Sequence, residues 1–164
     1  MTTLQRLGWQ WLLFVLALVG AGVAIYLTAV HYAQAPLLCS SQGVVNCERV
    51  TSSAYSVVPG TALPITIPGL AWFFVSALLA FLGTRRNGRW ILRAELAWAI
   101  LGMITVLYLI YVEIVLLRTL CAWCTVVHVL IFLSLLVTIV EFYRAAQADE
   151  LETEDEEVPA QHLT

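Results

Sequence analysis

The sequence predicts an all-α polytopic membrane protein, a bundle of four transmembrane helices whose long outer loop carries a short helix. Three observations predict it. Of 164 residues, 61% are hydrophobic and 12% are charged, whereas a soluble domain carries about 25% charged residues. That much apolar surface exceeds what one soluble core buries, and it calls for lipid. Four apolar stretches are each long enough to cross a hydrocarbon core, which takes roughly 17–25 residues per helix. The arginines, finally, are spread unevenly over the segments that join those stretches.

The first span runs over 11–30, between Trp9 and the pair His31-Tyr32, residues that suit a membrane–water interface. Ala33-Gln34-Ala35 resembles a signal-peptide cleavage site. Pro36 would follow the cut, however, and the apolar run exceeds the usual h-region of roughly 7–15 residues, so the segment is kept as a span. Lipid attachment at Cys39 is disfavoured by the large Leu38 before it. The loop from Ala33 to about Thr66 is longer than a connection without a role. Val44, Val45, Val50, Tyr55, Val57, Val58 and Leu63 can lie against the bundle mouth, and Pro59-Gly60, Pro64 and Pro68-Gly69 punctuate the chain. A short helix is expected near Glu48 to Ala54, followed by an irregular segment. Irregular backbone at membrane depth is tolerated only where protein or a cavity covers it, which makes the loop a candidate lid. The remaining spans are 67–83, 96–112 and 119–140, with Trp90 and Tyr143 as interfacial flanks.

These spans make a single membrane domain over 1–144, without internal repeats. The last stretch, 145–164, holds seven of the eleven acidic residues, between Asp149 and Glu157. Its charge and low hydrophobicity predict a disordered acidic cytoplasmic tail. Every basic residue is Arg. Arg85, Arg86, Arg89 and Arg93 form the densest cluster, and Arg6 and Arg144 share its side in a four-span topology. Only Arg49 and Arg118 lie opposite. The positive-inside rule then puts both termini in the cytoplasm and the long loop outside, in a multi-pass protein of the cell (inner or plasma) membrane. No basic stripe interleaved with aromatics is present, so nucleic acid is not an expected partner.

The chemistry is carried by four cysteines. Cys39 and Cys47 lie in the outer loop, and Cys121 and Cys124 open the fourth span, so all four reach the outer face, where disulfides persist. Cys121-Ala122-Trp123-Cys124 is a C-x-x-C motif at a helix N-terminus, which stabilises a thiolate, while apolar burial opposes it. A structural zinc site usually draws on close-spaced pairs on both sides, and the gap from Cys39 to Cys47 is long for that; no metal is expected. Cys39 and Cys47 alone read as a static staple, but two pairs within reach of each other can exchange by thiolate attack on a disulfide. Residues three and four apart share a helix face, so Cys121, Cys124 and His128 form a stripe pointing into the bundle. His128 is an intramembrane ionisable residue and hence a candidate site residue, either hydrogen-bonding a quinone oxygen, relaying a proton, or bonding to a Ser or Thr of another helix. Glu113, at the outer end of the third span, reads as an interfacial anchor, and Trp123 as an interfacial aromatic.

The pattern resembles the vitamin K epoxide reductase family. The residues that carry the resemblance are Cys39, seven intervening residues, then Cys47-Glu48-Arg49-Val50-Thr51-Ser52-Ser53-Ala54-Tyr55, and later Cys121-Ala122-Trp123-Cys124. It covers the membrane core from about Trp9 to Arg144. The resemblance implies a four-helix bundle around a quinone, menaquinone or ubiquinone with a vitamin K type admitted, capped by the cysteine loop. It implies a membrane thiol–disulfide oxidoreductase that oxidises a thioredoxin-like (DsbA-like) partner at the outer face and reduces the quinone, with vitamin K epoxide or quinone reduction as a further activity. Cys39 would exchange with the partner, Cys47 would pass electrons to Cys121, and Cys124 would face the quinone together with His128 and Thr66. Ser52, Ser53 and Arg49 would steady the loop helix.

The sequence departs from the animal members at two points. They carry an Asn before the second span, where this chain reads Ile65-Thr66-Ile67-Pro68-Gly69. They carry a Tyr four residues after the second cysteine of the C-x-x-C, where this chain has His128. Many bacterial members have a fused thioredoxin-like domain; here the partner is expected to be a separate protein. The alternatives are a disulfide generator of the DsbB type, in which the order of the two cysteine pairs is reversed, and a non-catalytic four-cysteine membrane scaffold.

Overall fold

The computed structural model describes residues 3–39, 44–85 and 88–161, with side chains for 6–39, 44–85 and 88–148. Arg86 of the arginine loop and the acidic side chains from Asp149 onward lie outside the described set. In chain order the elements are α1 (Thr3–Ala33), α2 (Cys47–Thr51), a 3₁₀ turn (Ala54–Ser56), α3 (Thr66–Arg85), α4 (Arg89–Tyr111), a π-helical turn (Val112–Leu117) and α5 (Ala122–Gln161). Among the described residues there is no strand, only the isolated bridges Val45–Leu120 and Val57–Pro64. The chain is thus an all-α polytopic bundle. Four segments are long and apolar enough to cross a membrane: Arg6–Ala33, Thr66–Arg85, Arg89–Leu117 and Ala122–Ala148. The first three outrun at both ends the apolar stretches that mark them in the sequence, because polar residues there continue the helix; the fourth begins at Ala122, three residues after its expected start at Thr119, and runs on past Val140.

Helix α5 also continues to Gln161, through the acidic segment whose composition suggests disorder. Ala, Leu and Glu are good helix formers, and extending a formed helix avoids the cost of nucleating one. The short outer-loop helix is divided. Asn46 caps α2 by accepting the Arg49 N–H at 2.9 Å, and the helix stops at Thr51 before the 3₁₀ turn begins at Ala54.

Packing starts from close approach of α1 and α3. The Phe73 ring occupies the space where any side chain at Gly20 would begin, so only glycine allows this contact. Phe73 is fully buried and meets Ala24 of α1, Val106 of α4 and Ile131 of α5, one residue from each other long helix. Helices α3 and α4 are tied by Trp72 and Trp98, whose rings stack and whose indole N–H groups each donate to the other's carbonyl at 3.2 Å. Large apolar side chains such as Phe74, Ile104 and Leu107 point outward, the arrangement a lipid-facing surface requires.

At the end of the bundle away from the cysteines lies a buried polar knot. Gln10 Nε2 donates to Glu95 Oε2 at 3.1 Å and to both Glu141 oxygens at 2.9 Å, while Arg6 Nε stands 3.7 Å from Glu141. Gln10, Glu141 and Glu95 are 0%, 1% and 6% exposed. Buried carboxylates persist only with partners, and here one amide serves two of them. The Gln10 amide occupies the space left by the missing side chain of Gly83.

Candidate functional site

The outer loop is stitched to the junction between α4 and α5. Leu120 N–H donates to Val44 O at 2.9 Å, Asn46 N–H to Leu120 O at 3.0 Å, and the Thr119 hydroxyl to Val44 O at 3.0 Å. The next residues along the two paired segments are Cys47 and Cys121. Both are buried, 1% and 0% exposed. Cys39 and Cys47 are joined as a disulfide, and Cys121 and Cys124 are free thiols. Cys39 is only half-buried.

Trp123, between the two inner cysteines, holds the other arm of the loop. Its indole N–H donates to Leu38 O at 3.1 Å, its ring lies 5.0 Å from Tyr26, and the Tyr26 hydroxyl accepts the Leu38 N–H at 3.4 Å. It is a loop anchor rather than a free interfacial aromatic. The residue that precedes Cys39 is therefore fixed to α1 and α5 together.

A cavity of about 480 Å³ opens beneath the loop, within the usual range for small-ligand sites. Leu27, Val30, Leu109 and Val112 give it apolar walls, and Cys124, His128, Thr66 and Glu113 line it with polar groups. Cys124 and His128 thus share the helix face expected of them. Cys121 does not line the cavity; it lies one residue before α5 begins and packs behind its partner. Thr66 stands at the first turn of α3, with its hydroxyl 2.7 Å from that of Thr28; Thr28 spends its one proton on Ala24 O at 2.7 Å, so Thr66 donates to Thr28. His128 is buried and has no hydrogen-bond partner among the described residues. An apolar slot with such an unpaired imidazole suits a flat ring that carries carbonyl oxygens.

The loop residues of the motif also line this space. Ser52 N–H donates to Glu48 O at 2.9 Å and closes α2, and the Ser53 hydroxyl donates to Val50 O at 2.7 Å. Arg49 bonds through its backbone N–H, with its side chain exposed.

Glu113 is not an interfacial anchor. It is 4% exposed, lines the cavity, and its Oε2 accepts the Cys121 N–H at 3.3 Å. The π-helical turn puts it there. Thr119 N–H returns to Glu113 O at 3.0 Å, and Arg118 takes a left-handed conformation at φ 51° that breaks the helix. A non-glycine residue in that region costs about 1–2 kcal/mol, and π turns recur at functional sites. The signal in the sequence was an ionisable side chain inside an apolar run, eight residues before the C-x-x-C.

The two free thiols are electrostatically unequal. The Cys124 thiol donates to the Cys121 sulfur, and the Cys124 N–H points to it at 3.3 Å; together they hold the Cys121 thiol below the ordinary range, against burial and the nearby Glu113. Cys124 is the member that faces the cavity.

No curated protein is significantly similar to the chain. The model of the vitamin K epoxide reductase family matches residues 11–139, most of the membrane core with the cysteine loop and the C-x-x-C, and the chain belongs to that family.

Proposed function

We propose that this chain oxidises the dithiol of a separate thioredoxin-like (DsbA-like) protein and passes the electrons through its two cysteine pairs to a membrane quinone. Family membership supports the coarser statement, a membrane thiol–disulfide oxidoreductase coupled to a quinone. The observation that carries the finer one is the backbone pairing of Asn46 with Leu120, the residues that directly precede buried Cys47 and buried Cys121.

In this reading a partner thiolate attacks Cys39, the half-buried member of the outer disulfide, and frees Cys47. Cys47 then attacks an oxidised Cys121–Cys124 pair at Cys121 and releases Cys124. The partner's second thiol attacks the mixed disulfide and releases Cys39 as the partner's own disulfide forms; Cys39 then attacks Cys47, which closes the outer disulfide, releases Cys121 and leaves the inner dithiol, the state with Cys39–Cys47 joined and two free thiols. His128 supplies a hydrogen-bonding group toward the quinone oxygens, Thr66 reaches them by turning its hydroxyl away from Thr28, and Ser52, Ser53 and Arg49 steady α2 above the cavity. The quinone accepts the electrons as substrate, and menaquinone, ubiquinone or a vitamin K type would fit the slot. The orientation we propose puts both termini in the cytoplasm of a cell membrane, because Arg6, Arg85, Arg86, Arg89, Arg93 and Arg144 outnumber Arg49 and Arg118.

Purified protein, mixed with a reduced thioredoxin-like partner, should bleach ubiquinone or menaquinone in a thiol-dependent way, with vitamin K epoxide as a third acceptor. Cys124→Ala should stop the bleaching and trap a Cys47–Cys121 disulfide, read by mass spectrometry of the unreduced protein. Absence of thiol-dependent bleaching with every acceptor would refute the proposal, and a Cys39–Cys121 crosslink would exchange the roles of the loop cysteines.

A further inference from the structure

We propose that Glu113 is the proton acceptor for Cys124, taking the thiol proton as electrons leave the inner cysteine pair for the quinone. The inference rests on the reading above and assigns one further catalytic residue to it.

The geometry comes from three features. The π-helical turn Val112–Leu117 carries Glu113 into the cavity wall. One carboxylate oxygen is fixed by the Cys121 N–H at 3.3 Å. The Glu113 carboxylate and the Cys124 thiol are also hydrogen-bond partners, while the same thiol reaches the Cys121 sulfur. A single thiol proton therefore faces two acceptors. When Cys121 forms its bond to Cys124, its sulfur ceases to be a base and the carboxylate remains. The other titratable side chains on this cavity are His31 from α1, Glu48 from α2, Tyr55 from the 3₁₀ turn and His128 from α5. His128 lies one turn further along α5, across the slot. Glu113 is the one held against the C-x-x-C by a hydrogen bond.

The step balances as follows. The step starts from the form in which Cys121 has ionised and Cys124 is still a thiol. A sulfur–sulfur bond forms between them, the Cys124 S–H bond breaks, and the two electrons released reduce the quinone. The Cys124 proton goes to Glu113 and from there to one oxygen of the reduced quinone. The second proton comes from solvent at the outer mouth, replacing the one Cys121 gave up when it ionised. The cysteines are oxidised by two electrons, the quinone gains two electrons and two protons, and Glu113 ends as it began.

Single-turnover oxidation of the pre-reduced full chain by ubiquinone or menaquinone tests this, with wild type, Glu113→Gln and Glu113→Asp compared across pH. Gln keeps an oxygen for the Cys121 N–H but cannot accept the proton. General-base catalysis is worth roughly 100- to 10,000-fold, so Glu113→Gln should lose at least about 100-fold in the oxidation rate. Its quinone KM and its disulfide exchange with the partner should stay within about threefold. A base must be ionised to act, so the wild-type rate should fall on the acid side as Glu113 protonates. That limb should vanish in Glu113→Gln and persist, at reduced rate, in Glu113→Asp. A Glu113→Gln rate close to wild type, or loss of exchange and quinone reduction in equal measure, would overturn the assignment. If Glu113→Gln does not fold, Glu113→Asp decides, and a flat acid limb in that variant refutes the proposal. Failure of wild type itself to reduce any quinone would instead refute the parent reading.

Discussion

Gln10→Leu is the most direct test of how the bundle is held at the end away from the cysteines. The substitution keeps side-chain bulk and removes the one amide that serves both Glu141 and Glu95, at 2.9 and 3.1 Å. Leaving a buried acceptor without its donor costs about 1–3 kcal/mol, more if it is charged. Glu141 keeps Arg6 at 3.7 Å, so its loss falls at the lower end, whereas Glu95 loses the only hydrogen bond it is given among the described residues. The sum is about 2–4 kcal/mol. With each kcal/mol worth about 2–4 °C in a chain of this size, the thermal midpoint should drop by about 5–15 °C. Intrinsic tryptophan fluorescence of the protein in detergent or nanodiscs would follow it. Adding Glu95→Leu should recover half or more of the loss, because removing both partners of a buried pair is nearly neutral. Quinone titration should be unaffected, since Glu141 stands about 26 Å along α5 from Cys124 at 1.5 Å per residue. An unchanged midpoint in Gln10→Leu, or a double variant worse than the sum of the two singles, would refute this account.

His128→Ala should weaken quinone reduction by roughly 5- to 150-fold, the loss of one buried hydrogen bond at about 1–3 kcal/mol, and spare cysteine exchange with the partner; an unchanged quinone titration would return the residue to a packing role. In a variant lacking Cys39 and Cys47, the Cys121 thiol should ionise below the ordinary cysteine value of about 8.5, because Cys124 donates to its sulfur. Thiolate ultraviolet absorbance should therefore rise at lower pH than for a free thiol, and Cys124→Ala should move the rise upward. Trp123→Phe keeps the ring against Tyr26 and removes the hydrogen bond to Leu38 O, about 0.5–1.5 kcal/mol. The loop near Cys39 should then open more often, seen as roughly 2- to 10-fold faster amide hydrogen exchange in 37–39.

The long helices were legible because a membrane span needs only apolar length, and the sequence shows that directly. Where a polar side chain sits inside such a length, periodicity says nothing about its partner. Gln10, Glu95 and Glu141 come from three helices and are 85 and 131 positions apart, so neither spacing nor composition predicts their knot. Glu113 was misread for a related reason. It marked a plausible end for the third span, whereas a π turn, invisible to a hydropathy window, carries the helix past it and turns its side chain inward. Trp123 looked like a belt residue because its bond to Leu38 O crosses 85 positions. The two cysteine pairs, by contrast, could be brought to one end of the bundle by span count alone, and the pairing of the loop with Leu120 puts them there.

The burial of the four cysteines gives the proposed electron route an order of contact. Cys39 is half-buried, Cys47 and Cys121 are sealed, and Cys124 faces the cavity. On the proposed route a soluble partner meets the first sulfur and a lipid-borne quinone the last. The sealed middle step needs no access from outside, because Asn46 and Leu120 already hold the two segments in register. Exclusion of water there also protects the intermediate thiolate from competing thiols. Thiol–disulfide exchange runs in whichever direction the potentials at its ends dictate. On this architecture the route is fixed by who can touch which end, and reversal would require a reduced quinone at Cys124 and an oxidised partner at Cys39.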